Sequence, residues 1–540
     1  MNTRRNNIAV LLVVGLLMSS CEEAVKDVKG PKELVPEISL GTTIGSLVEL
    51  FSADSIPVEG YGLVAGLNGT GSVECPPRIR AYLQQYILKQ LPTDVLKPDE
   101  FISSLNTAVV LVEGIMPRAV GKNQYFDVRI TALPGTQTTS LEGGRLYKTE
   151  LKAAGGFGIT IKVLARAEGP VFIDTINPKE SNKRIGYILA GGSVLDEYKI
   201  NLALRQPNYR IASMIRNKLN ERFGEGTAEA ISPSQIELKV PAKYKDQKQR
   251  FISIVKATYL AETTEITRER ISTFVKKLAV SEDKDTYEAG LEAIGIDGVG
   301  KLGALLNSSN AEVRFRAARC MLNLGSDVGL EALREISSTK NSPYRIAALE
   351  AITAAGSRTD AATISRKLLR DDDFSIRLAA YEQLRKLDDI SISRELISRD
   401  FFLEQITQTQ HKGVFVTRSG QPRIVLFGAP LYCHENIFVQ SPDGNITINA
   451  PSGQPYVSII RKHPKRPNVI LQLKSPYDVS DIIRKLCEEP LKKVGKGGVG
   501  LNVSYAEGIA LLKEMCYKGA LDAKFRAGPL PKIDLIIKIR

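Results

Sequence analysis

Histidine is scarce in this chain: three occur in 540 residues, His411, His434 and His463, all late. Nucleophilic catalysis by serine or cysteine leans on a nearby base, and no such constellation is readable here. Cysteine is sparse as well, with 6, and none falls in a CxxC or Cys/His ligand spacing, which argues against zinc. The longest apolar run, Ile8 to Met18, is shorter than the about 20 residues a spanning helix needs. Two glycine-rich stretches lack what a phosphate loop requires. "GLNGTGS", Gly66 to Ser72, holds no lysine; "KGGVGLN", Lys496 to Asn502, has Leu501 and Asn502 where lysine and Ser/Thr would stand. No acidic residue sits in a βαβ setting that would hold a ribose. The 60 acidic residues contain no signature pair. The expectation is a non-enzymatic chain with no catalytic residue, no cofactor and no metal.

What is present is a globular composition, 43% hydrophobic and 25% charged, long enough for several domains. The net charge of +13 suits an acidic partner. The opening "MNTRRNNIAVLLVVGLLMSSC" has the proportions of a secretory signal: Arg4 and Arg5, an apolar run, then small residues. Ser19-Ser20-Cys21 after Leu17-Met18 resembles a lipobox, so lipidation at Cys21 and a membrane anchor are expected, with residues 22–45 as a tether. Export removes nucleic acid from the partners and leaves membrane and cell wall. An oxidising compartment permits a disulfide, for which Cys433 with Cys516 is the candidate pair.

Periodicity assigns the elements. "TAVVLVEGIM" (Thr107 to Met116) reads as a β-rich run, and "YFDVRITAL" alternates Phe126, Val128 and Ile130. A helix is predicted from Pro77 to Leu91, and another from Tyr209 that stops at Gly224. "QIELKVP" alternates again. After His411 short strands return, from "GVFVT" to "VILQLK". Helices at Asp478 to Cys487 and Tyr505 to Tyr517 follow, and a terminal strand ("KIDLIIKIR") closes the chain.

Between these blocks a helical repeat appears. Arg314, Arg345 and Arg377 recur 31 and then 32 positions apart. Each is followed by Ala three positions on (Ala317, Ala348, Ala380) and an apolar residue four further (Met321, Ile352, Leu384). Lys284, Leu291 and Gly295 fit an earlier copy. Small residues let paired helices approach, and each unit buries its face by stacking on its neighbours. The pattern resembles HEAT repeats. It predicts an outward arm with its own core, structural arginines and a protein partner not yet identified.

"GYGLVAGLNGTGS" packs Gly60, Gly62, Gly66, Gly69 and Gly71 into thirteen positions, with Tyr61 and Asn68 among them. With "NTAVVLVEGIMPRAVGKNQYFDVRI", "SLEGGRLYKTEL" (Gly143 and Gly144), the strand–helix–strand block from Ile200, "GVFVTRSGQPRIVLFG" and "GLNVSYAEGIALLKEMCYKGALDAKF", it is similar to the flagellar P-ring protein family, in order, over 46–262 and 411–526. The resemblance implies a homo-oligomeric ring in the periplasm of a diderm bacterium, around the flagellar rod, beside L-ring subunits and at the peptidoglycan layer. The glycines then serve tight turns and close packing between subunits. A lipid-anchored scaffold unrelated to motility is the alternative. The expected fold class is α+β and multidomain, a P-ring-like body interrupted by a HEAT-like solenoid. Its expected boundaries are a signal at 1–21, a tether at 22–45, α+β domains at 46–165 and 166–262, and linker and repeats at 263–410. A β domain at 411–475, a helical segment at 476–527 and a strand at 528–540 complete it.

Overall fold

Six strands close into a barrel because alternate residues of each are apolar and need one shared interior. The computed structural model describes residues 41–533 except 52–54, 91–96, 118–120, 157, 159, 177–181, 197–198, 465 and 491–499. Cys21, residues 22–40 of the expected tether and residues 534–540 of the expected terminal strand lie outside that set; Ile44, at the tether's expected end, is already buried in the body. The barrel runs Ile56–Ala65, Thr107–Met116, Tyr125–Ala132, Ile185–Val194, Ala165–Pro170, Arg145–Ala153 and back to the first, every pair antiparallel. Val110, Val112, Val128 and Ile130 point inward and are fully buried. Each such side chain contributes about 1.5–3 kcal/mol relative to exposure. The intervening Val109 faces outward, under the helix Pro77–Gln90, where Leu83 and Ile102 cover it. Thr107–Met116 is therefore apolar on both faces. Closure also corrects the expected boundary at 165/166: the strands beyond it are needed to complete the barrel.

A second, four-stranded sheet orders Val48–Phe51, Ile200–Leu204, Gln235–Leu238 and Ala228–Ser232. Helices Tyr209–Phe223 and Lys248–Ala257 cover it through Ile215, Leu219, Phe251 and Val255. The first helix starts where the Asn208 side chain accepts the N–H groups of Arg210 and Ile211, and stops at Gly224 with φ 102°.

From Thr264 the chain is helical. Ala311–Asn323 pairs with Asp327–Ser338, Arg345–Ala355 with Arg358–Leu368, and Phe374–Lys386 follows. Ala317, Ala348 and Ala380 are fully buried, as the repeat requires for close helix approach. Arg314 donates to the carbonyls of Ser308 (2.5 Å) and Ser309 (3.0 Å), and Arg377 to those of Asp371 (2.6 Å) and Asp372 (2.9 Å). Arg345 donates to the Ser337 carbonyl at 3.1 Å and pairs with Asp371. Arg314 and Arg377 thus tie a helix start to the turn before it, and Arg345 ties its helix to the end of the preceding helix and to the turn at Asp371.

The last part holds two sheets. One orders Ile392–Ile397, Phe401–Ile406, Arg423–Phe427, Gly413–Val416 and Lys524–Ala527; the other Ile437–Gln440, Ile446–Ala450, Val457–His463 and Arg466–Ser475. The first corrects the expected start at 411, because Phe402 to Ile406 pair in parallel with Arg423 to Phe427. Helices Val479–Cys487 and Tyr505–Tyr517 pack on this β region, the second opened by a Ser504/Glu507 capping box.

The helical stack is not a free arm. One core joins Leu349, Ile352, Tyr381 and Leu384 to Ile392, Ile406, Phe415, Val425 and Phe427 of the sheet. The expected disulfide is corrected as well. Cys433 and Cys516 are both free thiols within or against the C-terminal core, and burial pushes each up to about 12.

Candidate functional site: the glycine signature and the barrel face

The glycines of the signature divide into two physical kinds. Gly66 and Gly69 have φ of 85° and 75°, and Gly143 has 72°, backbone conformations that side chains rarely adopt. Gly60, Gly62, Gly71 and Gly144 instead mark close approaches. A Cβ at Gly60 would lie 2.2 Å from the Glu150 carbonyl oxygen, at Gly71 2.0 Å from that of Thr107, and at Gly144 2.5 Å from a Val64 methyl. At Gly62 it would meet the Thr149 hydroxyl at 2.2 Å. These four glycines thus let neighbouring strands and the signature loop pack closely within one subunit.

The loop is also stitched shut. The N–H groups of Leu67, Gly71 and Ser72 donate to the carbonyls of Asn106 (3.0 Å), Leu105 (2.8 Å) and Thr107 (2.9 Å). The Gly69 N–H donates to the Asn106 side chain at 3.1 Å, and the Thr70 hydroxyl to the Ser140 carbonyl at 2.8 Å. A phosphate cradle needs those N–H groups unspent; here they fasten one end of the barrel. Asn68 is exposed and Tyr61 half-buried against the helix Pro77–Gln90. At the second glycine-rich loop, the described Leu501 and Asn502 donate to the Lys485 and Glu488 carbonyls at 3.0 Å each.

Under the helix Pro77–Gln90 lies an apolar groove of about 310 Å³, lined by Leu63, Leu83, Tyr86, Ile87, Phe101 and Tyr147. Its helix is pinned by the Tyr86 hydroxyl, which donates to the Lys148 carbonyl at 2.8 Å. Beneath it the buried Lys152 sits 4.9 Å from the Tyr82 ring centre and donates to the Gly158 carbonyl at 2.5 Å. Burial draws the Lys152 ammonium below its usual value, and Glu150 opposes this.

Three polar constellations escaped the sequence reading. Asp127, on a barrel strand, accepts the Ala190 N–H at 2.6 Å and the Gly420 N–H at 2.8 Å, clamping a hairpin 293 residues away. Beside it Asp174 pairs with Arg418 at 2.8 Å. Deeper, Glu288 and Glu292 lie one turn apart on the helix Lys284–Ile294 and are almost fully buried. Arg250, Arg316 and Arg319 converge on Glu288 at 2.8, 3.0 and 2.6 Å, and Arg250 also pairs with Glu292. Carboxylates on an otherwise buried helix face were the available signal.

A model of the flagellar P-ring protein family matches residues 43–272. That span takes in the whole barrel and the four-stranded sheet with its helices. The P-ring protein of Thermotoga maritima is 32% identical over 231 residues, 40% of this chain and 66% of its own length. That of Geobacter metallireducens is 26% identical over 234 residues (41% and 61%), and that of Helicobacter pylori 26% over 247 (44% and 68%). Over these residues the chain is similar to the flagellar P-ring protein family. It spans a little under two thirds of the Thermotoga relative, at 66%. The P-ring match holds the glycine signature, Gly143 and Gly144. Arg314, Arg345, Arg377, Cys433, Cys516 and the resemblance at 411–526 lie beyond it.

Proposed function

We propose that this chain is a structural, non-catalytic subunit of a flagellar P-ring, a periplasmic bushing around the rod at the peptidoglycan layer. The observation that carries the reading is the coincidence of the family match at 43–272 with two complete folded bodies, the barrel and the four-stranded sheet. A closed ring requires a heterologous interface repeated with a rotation that closes. The groove under Pro77–Gln90, with Leu88 and Tyr147 exposed beside it, supports a contact of that kind. A net charge of +13 fits the carboxylates of the wall. The rod and L-ring subunits are the flagellar partners in this reading, and an acylated Cys21 would hold the chain to a membrane. The helical stack widens the subunit and offers a protein-binding surface. Electron cryotomography of cells with and without the gene tests the proposal. The expected result is loss of a periplasmic ring around the rod, restored by the intact gene. Rings of unchanged frequency and size in the deletion strain would overturn it.

A further inference from the structure

A polar cavity of about 540 Å³ opens where the helix Phe374–Lys386 begins against the edge strand Lys524–Ala527. It lies outside the residues matched to the P-ring family. The strand pairs in parallel with Gly413–Val416, placing Arg526 beside Phe415 and Lys524 beside Gly413. Lys524 and Arg526 share a strand face, the one turned towards the helix. The Arg526 guanidinium lies 4.3 Å from the Phe374 ring centre, and that of Arg377 lies 5.6 Å from the same ring.

The charges are unevenly matched. The two aspartates on the rim already have partners: Asp372 faces Lys340 at 3.0 Å and His411 at 3.5 Å, and Asp522 faces Lys412 at 3.5 Å. Asp371, next in the turn, is taken by Arg345. No carboxylate among the described residues pairs with Arg377, Lys524 or Arg526. Arg377 is 8% exposed and spends one terminal nitrogen on the carbonyls of Asp371 and Asp372, while its Nε has no acceptor. Burial, then the charge of Arg526, draws the Arg377 guanidinium below its usual value, against the opposing charges of Asp371, Asp373 and Asp372. Two guanidiniums on one ring, one of them buried with an unused N–H, repel unless something negative stands between them.

We propose that this cavity binds an oxyanionic ligand, a phosphate or a carboxylate, held between Arg377 and Arg526 with Lys524 at its rim. Guanidinium groups match both oxyanions in geometry, and charge-assisted hydrogen bonds of this kind are about twice as strong as neutral ones. A solvated cation elsewhere on this basic surface has none of these features.

The test is isothermal titration of the full-length chain with inorganic phosphate and, separately, with citrate. One saturable site is expected for at least one probe; saturation by phosphate alone assigns a phosphate source, and by citrate alone a carboxylate source. Arg526→Gln and Lys524→Gln change exposed side chains and should keep the thermal midpoint. Arg526→Gln should weaken binding about tenfold or more, the loss of one charge-assisted contact. Lys239→Gln, at an exposed lysine just after the strand Gln235–Leu238 of the four-stranded sheet, should leave it unchanged. The proposal is overturned if neither probe saturates, if Arg526→Gln binds as the native chain does, or if Lys239→Gln weakens binding equally.

Discussion

Removing the Glu288 carboxylate should destabilise the protein through three arginines at once. Glu288 is 2% exposed and receives Arg250 at 2.8 Å, Arg316 at 3.0 Å and Arg319 at 2.6 and 2.7 Å. Deleting one partner of a buried ion pair leaves uncompensated charge and costs about 3–5 kcal/mol. Glu288→Ala should therefore lose at least that much, and Glu288→Gln, which keeps the volume, should lose most of it. Urea unfolding of the full-length chain, followed by circular dichroism and by the fluorescence of its 18 tyrosines, measures both. Arg250 belongs to the P-ring-matched residues and Arg316 and Arg319 to the stack, so both signals should shift together.

The pH dependence has a defined sign. Burial alone would raise Glu288; Arg250 and Arg319 more than reverse it and hold the group at about 2, against an ordinary 4.5. A depressed carboxylate contributes stability above its unfolded value and loses it as pH falls through the folded one. The gap between native and Glu288→Gln proteins should thus shrink from about pH 4.5 towards about pH 2. Glu292, one turn on, is moved the other way by burial, so its protonation accompanies folding rather than opposing it. A neutral Glu288→Gln, or a gap that does not close in acid, would refute the reasoning.

Gly71→Ala would set a Cβ 2.0 Å from the Thr107 carbonyl oxygen and 2.7 Å from that of Leu105, both backbone. It should lower stability by about 1–3 kcal/mol, read as a fall in thermal midpoint. Gly121→Ala, where nothing lies within 4 Å, should stay within about 0.5 kcal/mol. Asp127→Asn should weaken the clamp on Ala190 and Gly420 by about 1.5–3 kcal/mol, the range for hydrogen bonds to a charged group. Faster hydrogen exchange at Gly420, with the four-stranded sheet unchanged, is the expected readout.

Local structure was legible where one period ruled a segment. Phe126, Val128 and Ile130 alternate in the sequence and all point into the barrel, and Gly224 ends its helix in a conformation glycine favours. The arginine repeat was legible because Arg314 and Arg377 do one job, each reaching the two carbonyls of the turn before its helix. Long-range pairing was not. Closure needs Arg145–Ala153 beside Ile56–Ala65, and the C-terminal sheet needs Phe401–Ile406 beside Arg423–Phe427, neither of which has a local signal. The candidate cavity was hidden for the same reason. Arg377 is predicted from the repeat, whereas Arg526 falls in the segment 476–527 that was expected to be helical; its end is instead the strand Lys524–Ala527, whose parallel pairing brings both arginines to one ring.

These long-range contacts also decide whether the helical stack is an accessory. A helical insertion closes a surface loop at small entropic cost when its ends are near and its core is its own. The second condition fails here at both ends of the stack. At its start, Arg222 of the P-ring-matched residues donates to the Ala293 and Glu292 carbonyls, and Arg250 holds Glu288 and Glu292. At its finish, the Tyr381 hydroxyl and Arg385 both reach Glu404, which is fully buried on the sheet, while Arg423 returns from the sheet to Glu382. Cutting out the stack would remove partners of Glu404 and Arg250 and bare the apolar faces of Phe415, Val425 and Phe427. Each apolar side chain laid bare forfeits about 1.5–3 kcal/mol of burial, a sizeable fraction of the 5–15 kcal/mol that holds an ordinary domain folded. The stack therefore packs on both the P-ring-like body and the C-terminal sheets, which also meet directly through Asp127 and Gly420, and any partner it recruits acts on a rigid subunit rather than on a swinging arm.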